Sequence, residues 1–200
     1  MIAKRHLLIF YIAGILFPAI NTHAQNPLKQ EIEERIRLEE MPEEAANLLA
    51  DWLQDSKKIR FYHETDGDQQ TYEAKLTYLG RRFSLEFNTK GVLLDIEELI
   101  DFRELPSTAK ESITTTLVQS YDKYKIRRVQ RQFLPQSTGK ALLNTLQSPS
   151  PPSGQKENYE LEVDVKEGSQ MRSYEILFNT EGKMEQRRLI VRRSLDNFLY

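Results

Sequence analysis

The pentapeptide Phe-Asn-Thr-Lys-Gly at residues 87–91 recurs as Phe-Asn-Thr-Glu-Gly at residues 178–182, and the sequence around the two copies agrees as well. Arg81, Phe83, Leu85 and Phe87 fall on Arg172, Tyr174, Ile176 and Phe178, an alternation of period two that predicts a strand leading into a turn. Tyr72-Glu73-Ala74-Lys75-Leu76 matches Tyr159-Glu160-Leu161-Glu162-Val163, and Met41-Pro42 matches Leu105-Pro106. Ala45, Leu49 and Leu53 meet Ala109, Ile113 and Leu117, spaced by four so that each trio shares one helix face. A chain that repeats itself over this length reads as two degenerate copies of one folding unit, and the shared asparagine and glycine serve a hairpin turn rather than a reaction.

In the first copy Pro42 suits a helix start, Glu43 and Glu44 suit its positive end, and Ala45, Leu48, Leu49, Trp52 and Leu53 trace the apolar stripe. Strands follow near Lys57–His63, Thr71–Tyr78, Arg81–Asn88 and Val92–Glu98, separated by Asp66-Gly67, Leu79-Gly80 and Lys90-Gly91. The second copy predicts a helix near Ser107–Ser120 and strands near Tyr124–Gln132, Tyr159–Lys166, Met171–Asn179 and Lys183–Arg192. The fold expected is therefore α+β, two tandem repeats, each one helix packed on a four-stranded antiparallel sheet, over residues 41–104 and 105–193, with an N-terminal segment 25–40 and a tail 194–200. Ala74, Leu76, Phe83, Leu85, Phe87, Val92, Leu94 and Ile96 should face the helix, leaving Glu73, Lys75, Arg82, Ser84, Glu86 and Asp95 to water on an open face. Residues 133–158 interrupt the second copy and hold four of the eight prolines, which reads as a flexible hairpin connection with room for a helical turn or two at Lys140–Leu146.

A basic start (Lys4, Arg5, His6), an apolar run over 7–20 and small residues at Thr22 and Ala24 read as a cleaved export signal over residues 1–24. The run is broken by Gly14 and Pro18 and falls short of the roughly 20 residues that span a bilayer. The remaining 176 residues contain no cysteine, which excludes a thiol enzyme and a cysteine-ligated zinc module and leaves packing alone to hold an exported protein. A periplasmic or secreted address follows. Without Lys4 and Arg5 the chain carries 26 basic and 30 acidic residues, net -4, divided as -6 over residues 41–104 and +4 over 105–200. The halves attract each other or offer opposite faces to a partner, and RNA-binding aromatic-glycine motifs are absent, so nucleic acid is not expected.

Chemistry is sparse. After residue 24 the only histidine is His63, beside Glu64, Asp66 and Asp68; the spacing departs from a calcium loop, and Asp66-Gly67 is what a tight turn needs, so no metal and no cofactor are expected. His63 is also the only imidazole base for a hydrolase, and no nucleophile elbow, zinc-protease helix or phosphate loop is present, so no catalytic residue is assigned. The basic run Arg187-Arg188-Leu189-Ile190-Val191-Arg192-Arg193 reads either as a binding edge for an acidic partner or as an edge strand kept from self-association by charge. Trp52 and Phe61 suit core positions, and Arg60 and Tyr62 should point to the open face. The candidate partner-binding set is Arg60, Tyr62, Glu73, Lys75, Arg82, Arg188 and Arg192.

Tyr72–Lys75, Phe87–Gly91 and the linker Glu104-Leu105-Pro106 leading to Tyr121–Ile126 resemble exported bacterial proteins with tandem PepSY-like domains, grouped with the beta-lactamase inhibitor protein fold. The resemblance runs from about Met41 to Ile190. It implies a helix on a four-stranded antiparallel sheet, twice, with the sheets forming a concave platform that binds or inhibits peptidases or other enzymes. The chain departs from the secreted inhibitors in lacking their disulfides, and no inhibitory hairpin can be placed by motif, so only binding carries over. The function expected is that of a non-catalytic cell-envelope module recognising a protein or peptide across an open sheet face, with a carrier of a small apolar or lipid ligand as the alternative.

Overall fold

A computed structural model describes residues 28–148 and 157–191. The expected signal, residues 149–156, Arg192 and the tail lie outside the described residues. The elements are β1 (Leu28–Lys29), β2 (Glu31–Ile36), α1 (Glu43–Asp55), β3 (Ser56–Asp66), β4 (Gln69–Tyr78), β5 (Arg81–Asn88), β6 (Leu93–Leu99), α2 (Ser107–Ser120), β7 (Lys123–Phe133), α3 (Gly139–Leu146), β8 (Glu157–Glu167), β9 (Gln170–Asn179) and β10 (Met184–Ile190).

The ten strands form one sheet in the order β1-β10-β9-β8-β7-β6-β5-β4-β3-β2. All neighbours are antiparallel except β1 and β10, where Leu28 pairs with Leu189 and Lys29 with Ile190 in parallel. This arrangement forces closure. β1 and β2 occupy opposite edges of the sheet yet are separated in sequence by Gln30 alone, and one residue spans only about 3.5 Å. The sheet must curl until its two ends meet, giving a nearly closed barrel. The Gln30 N–H donates to Asp66 Oδ1 of β3 at 2.9 Å, and Arg188 of β10 donates to the Leu28 carbonyl at 3.2 Å and to Asp66, tying the two ends together.

This overturns the expectation of two repeats each with its own four-stranded sheet. β6 and β7 pair directly, from Ile96 opposite Phe133 to Leu99 opposite Gln130, so the two halves share one sheet. Pairing satisfies the N–H and C=O groups that two separate edges would have exposed. Part of the segment 25–40 supplies β1 and β2. Glu31-Ile-Glu-Glu-Arg-Ile36 has a carboxylate at most inward positions, so hydrophobic alternation gives no signal for it.

The helices lie outside the curl. Ala45, Leu49 and Trp52 of α1 pack on Phe61, Ala74, Leu85, Phe87 and Ile96, and Trp52 stacks on Tyr78 with ring centroids 4.6 Å apart. Leu142, Leu143 and Leu146 of α3 join the same cluster, so the helical turns at 140–146 are built into the core. Ala109, Ile113 and Leu117 of α2 pack on Val129, Leu161, Val163, Ile176 and Phe178 in a second cluster.

The repeated pentapeptides adopt one geometry. Asn88 Oδ1 accepts from the N–H groups of Lys90 and Val92, and Asn179 Oδ1 accepts from those of Glu181 and Lys183. Gly91 and Gly182 have φ of 79° and 76°, the left-handed region that favours glycine. Each also lies against a helix start: a Cβ on Gly91 would sit 2.7 Å from Ala45 N, and one on Gly182 2.6 Å from the Ala109 carbonyl. The glycines therefore set both the turn and the seating of α1 and α2.

Candidate functional site: the acid-lined interior

Successive strand residues point to opposite faces, so the rows that put Phe61, Ala74, Leu85 and Ile96 under the helices turn their neighbours inward. Tyr62, Glu73, Glu86 and Asp95 form one inward row, and Arg60, Lys75, Ser84, Glu97 and Gln132 the next. On the far wall Arg128, Glu162, Glu175 and Arg188 continue the pattern.

These side chains enclose a cavity of about 810 Å³ lined by eleven acidic residues and four basic ones, Lys29, Lys75, Arg128 and Arg188, a formal excess of seven carboxylates. Lys75 reaches Glu33 at 2.6 Å and Glu73 at 2.7 Å; Lys29 reaches Glu31 at 2.9 Å and also bonds Glu175. Arg128 approaches Glu162 at 3.4 Å. Ser84 donates to Glu73, Gln130 to Glu97, and Gln132 to Asp95 at 2.8 Å.

Four cations cannot neutralise eleven acids, and burial makes the imbalance felt. Burial, reinforced by Glu86 and other neighbouring carboxylates, holds Asp95 well above the usual carboxylate range. Burial also raises Glu97 and Glu160 strongly, each reinforced by a neighbouring acid, Asp95 for Glu97 and Glu97 for Glu160. Glu86 is raised for the same reasons. Glu64 is pushed up to about 11 by burial and by its hydrogen bond to Glu73. Burial opposes ionisation of Glu73 too, but the bond from Glu64 and the Lys75 ammonium outweigh it and hold Glu73 below its ordinary value. Glu64 therefore keeps a proton on Glu73's behalf. For Lys29 burial works against the charge, yet Glu160, Glu175 and Glu31 together raise its pKa.

The face expected to be an open, water-facing platform is thus the inside of the barrel. Glu73, Ser84 and Asp95 are only 7–8% exposed. The periodicity assigns them to one face, but curvature decides whether that face is open. Of the candidate residues, Glu73, Lys75 and Arg188 line the large cavity, and Arg60, Lys75 and Arg82 line a second cavity of about 240 Å³ on the same face. The Lys75 ammonium lies 4.8 Å from the centroid of the Tyr62 ring. The structure brings these six residues to one surface.

The basic run divides. Arg188 turns inward to Asp66 and Glu175, while Arg187 lies outside over the Tyr174 ring at 4.6 Å and donates to Tyr121 Oη at 3.2 Å. β10 has β9 along one side, while on the other β1 pairs only with Leu189 and Ile190, so the stretch Met184–Arg188 keeps one side without a strand partner among the described residues. His63 sits on the outer face, its ring 5.0 Å from that of Tyr72, turned away from Glu64; the grouping of His63 with its acidic neighbours does not assemble. Three carboxylates do come together: Glu31, Glu33 and Glu64 present oxygens within 4.8 Å of one another.

Sequence reasoning missed Glu31, Glu33, Glu64, Glu97, Glu160 and Glu175 as members of one site. The available signal was acids at every second position of a strand, as in Glu31 and Glu33, Asp95 and Glu97, and Glu160 and Glu162. On an exposed sheet that pattern is ordinary solvated charge.

No protein-family model matches the sequence, and no curated protein matches it either. Solved structures do resemble it. A candidate periplasmic protein of Bacteroides eggerthii aligns with a TM-score of 0.53 at 12% identity, covering 80% of this chain and 99% of its own. A DUF2874 family protein of Bacteroides ovatus aligns with a TM-score of 0.51 at 11% identity, covering 74% of this chain and 87% of its own. A BLIP-like protein of Bacteroides fragilis overlaps 78% of this chain and 90% of its own at 16% identity, with a TM-score of 0.48 that carries no further weight. At these identities the likeness speaks to the fold alone. Among the described residues no helix is long and apolar enough to cross a membrane.

Proposed function

We propose that the chain is a non-catalytic binding module of the periplasm, and that it takes a protein or peptide partner whose basic side chains enter the acid-lined interior. The excess of seven carboxylates in one cavity carries this reading. With Glu64, Glu86, Asp95, Glu97 and Glu160 biased toward their neutral forms, the six other acids still outnumber the four cations, and a concave surface of one sign steers oppositely charged groups toward it. Burial biases several of these acids toward the neutral form, and an arriving guanidinium or ammonium favours their ionisation and pairs with the charge. Arg60 and Arg82 lie at the smaller cavity, where they are suited to the partner's carboxylates or backbone carbonyls. The export signal expected over residues 1–24 and the likeness to a candidate periplasmic protein support the address.

An apolar or lipid cargo fits less well. The helix-to-sheet layers are filled by Leu49, Trp52, Ile113 and Leu117, each 1% exposed or less, and the large cavity lies on the other side of the sheet. Inhibition of a peptidase, the family-based expectation, is one use of the same capture and is read by assaying the captured partner.

Titration of the protein with fluorescently labelled Lys/Arg-rich and Glu/Asp-rich peptides, followed by anisotropy at low and high salt, tests the proposal. Binding of the basic peptide alone, weakened by salt and by Glu97→Gln with Glu160→Gln, supports it. Equal binding of both peptides, or none, removes it.

A further inference from the structure

We infer that Lys58, Arg60 and Arg82, with Arg128 beside them, form a site for a phosphate group at the smaller cavity. These four and Lys75 line that cavity, and the one acid among its lining residues is Glu97. Gln130 already donates to Glu97, and burial favours its neutral form, so it adds little counter-charge. The interior thus changes sign along its length, acidic around the large cavity and basic around the small one.

Basic side chains at a protein surface are ordinary, but these differ from their neighbours in being unpaired. The four cations of the large cavity all have carboxylate partners: Lys29 has Glu31, Lys75 has Glu33 and Glu73, Arg128 has Glu162, and Arg188 has Glu175. Lys58, Arg60 and Arg82 make no hydrogen bond or ion pair among the described residues.

The backbone brings them in through a repeated irregularity. The ladder of β3 with β4 slips by one residue between Lys57 and Arg60, and that of β7 with β8 slips by one between Ile126 and Arg128. Each slip comes just before an arginine that lines the cavity. Arg60 is opposite Lys75 and Arg128 opposite Glu162, and these partners are equivalent in the sequence repeat, so both copies place the same bulge and the same arginine. Bulges at barrel rims re-aim side chains in this way. Lys58, inside the first bulge, has a φ of 55°, which L side chains rarely adopt. Arg82 comes from β5, opposite Thr77 and Leu99, which line the same cavity.

The donors select the ligand. Guanidinium groups hold carboxylates and phosphates through paired N–H donors. A carboxylate brings one charge and two oxygens in a plane, whereas phosphate brings nearly two charges and spreads its oxygens in space. Phosphate therefore makes fuller use of cations arriving from β3, β5 and β7 than a partner's carboxylate does. The cavity of about 240 Å³ has room for such a group with water around it, since a liquid water takes about 30 Å³. The site stands whether or not a basic partner enters the larger cavity, and a titration with phosphate contains no basic peptide, so either reading can fail alone.

The experiment is isothermal titration of the full chain at pH 8 and low ionic strength with sodium phosphate, glycerol 3-phosphate and sodium acetate. Two variants accompany it, Arg60→Gln with Arg82→Gln, and Lys90→Gln at the turn beyond the other end of β5, both checked by circular dichroism. The expected result is one phosphate per chain with a dissociation constant of about 1 mM or tighter. It should be weakened at least tenfold in the double variant and unchanged by Lys90→Gln, with acetate at least tenfold weaker than phosphate. Binding of glycerol 3-phosphate as well as phosphate supports the site and identifies an esterified ligand such as a headgroup; binding of inorganic phosphate alone supports it and identifies the free ion. No binding of either phosphate by the wild-type chain at millimolar concentration would overturn the site, as would equal affinity in the folded double variant. Acetate binding as tightly as phosphate would overturn the assignment of the ligand.

Discussion

Arg188 of β10 donates a hydrogen bond to Asp66 of β3 across the seam where the two ends of the sheet meet. The two residues are 122 apart in sequence and neither strand pairs with the other. Their contact, with Gln30 bonded to the same carboxylate, is what a closed sheet has and an open one lacks. Asp66→Asn and Arg188→Gln should each lower stability by about 1–3 kcal/mol, since each removes the charged hydrogen bond between two partly buried groups, leaving Arg188 with Glu175 and Asp66 with the Gln30 N–H. In urea unfolding, the double variant should cost less than the sum of the two singles.

The two turn glycines differ from a third in what surrounds them. Gly91 and Gly80 share nearly the same φ, 79° and 81°, but a Cβ on Gly80 would meet nothing within 4 Å. Gly80→Ala should cost about 1 kcal/mol for the backbone alone. Gly91→Ala should cost clearly more, because α1 must move away from the turn. Gly182→Ala should behave like Gly91→Ala, by displacing α2. Thermal unfolding of the three variants decides this.

The interior acids give an unusual pH dependence. Glu64, Glu86, Asp95, Glu97 and Glu160 all have folded values above their ordinary ones. The folded state then binds more protons than the unfolded chain, so their contribution is full below about pH 4. It is lost as the pH rises, for Glu64 through to about 11. Glu73 is shifted the other way and offsets a small part. The thermal midpoint should fall between pH 5 and pH 8, and Glu97→Gln with Glu160→Gln should raise it at pH 8 and flatten the slope. A midpoint that rises over this range would show that the interior acids are ionised without cost.

The helix between β7 and β8 should behave as core. Leu143 is 2% exposed and Leu146 is fully buried, so truncation to alanine at either position should cost about 2–5 kcal/mol. A loss below about 0.5 kcal/mol in denaturant unfolding would show that α3 is a tolerated surface insertion.

How far the fold could be read depended on what each pattern encodes. Alternation placed Phe83, Leu85 and Phe87 on one face and Ser84 and Glu86 on the other, and spacing by four placed Ala45 and Leu49 on one side of a helix; both are local properties of the chain. Closure is not local. It depends on β1 and β2, whose residues Leu28–Ile36 carry charge where a strand signal expects apolar side chains, and on the pairing of β6 with β7, which links segments through edges rather than through side-chain pattern. The site suffered for the same reason. Glu73, Lys75 and Arg188 were legible as polar strand residues, but only curvature brings Glu160 and Glu175 opposite them.

Photo-crosslinking from inside the barrel tests the central claim most directly. Benzoylphenylalanine at Leu177, which lines the large cavity, is compared with the same group at Val118, which is 61% exposed on α2, using envelope extract and mass spectrometry of the cross-linked peptides. The expected result is a cross-link from Leu177 to a lysine- or arginine-rich segment of a partner, lost when Glu97 and Glu160 are changed to glutamine. A partner captured from Val118 and never from Leu177 would contradict it, placing recognition on the helical outer surface.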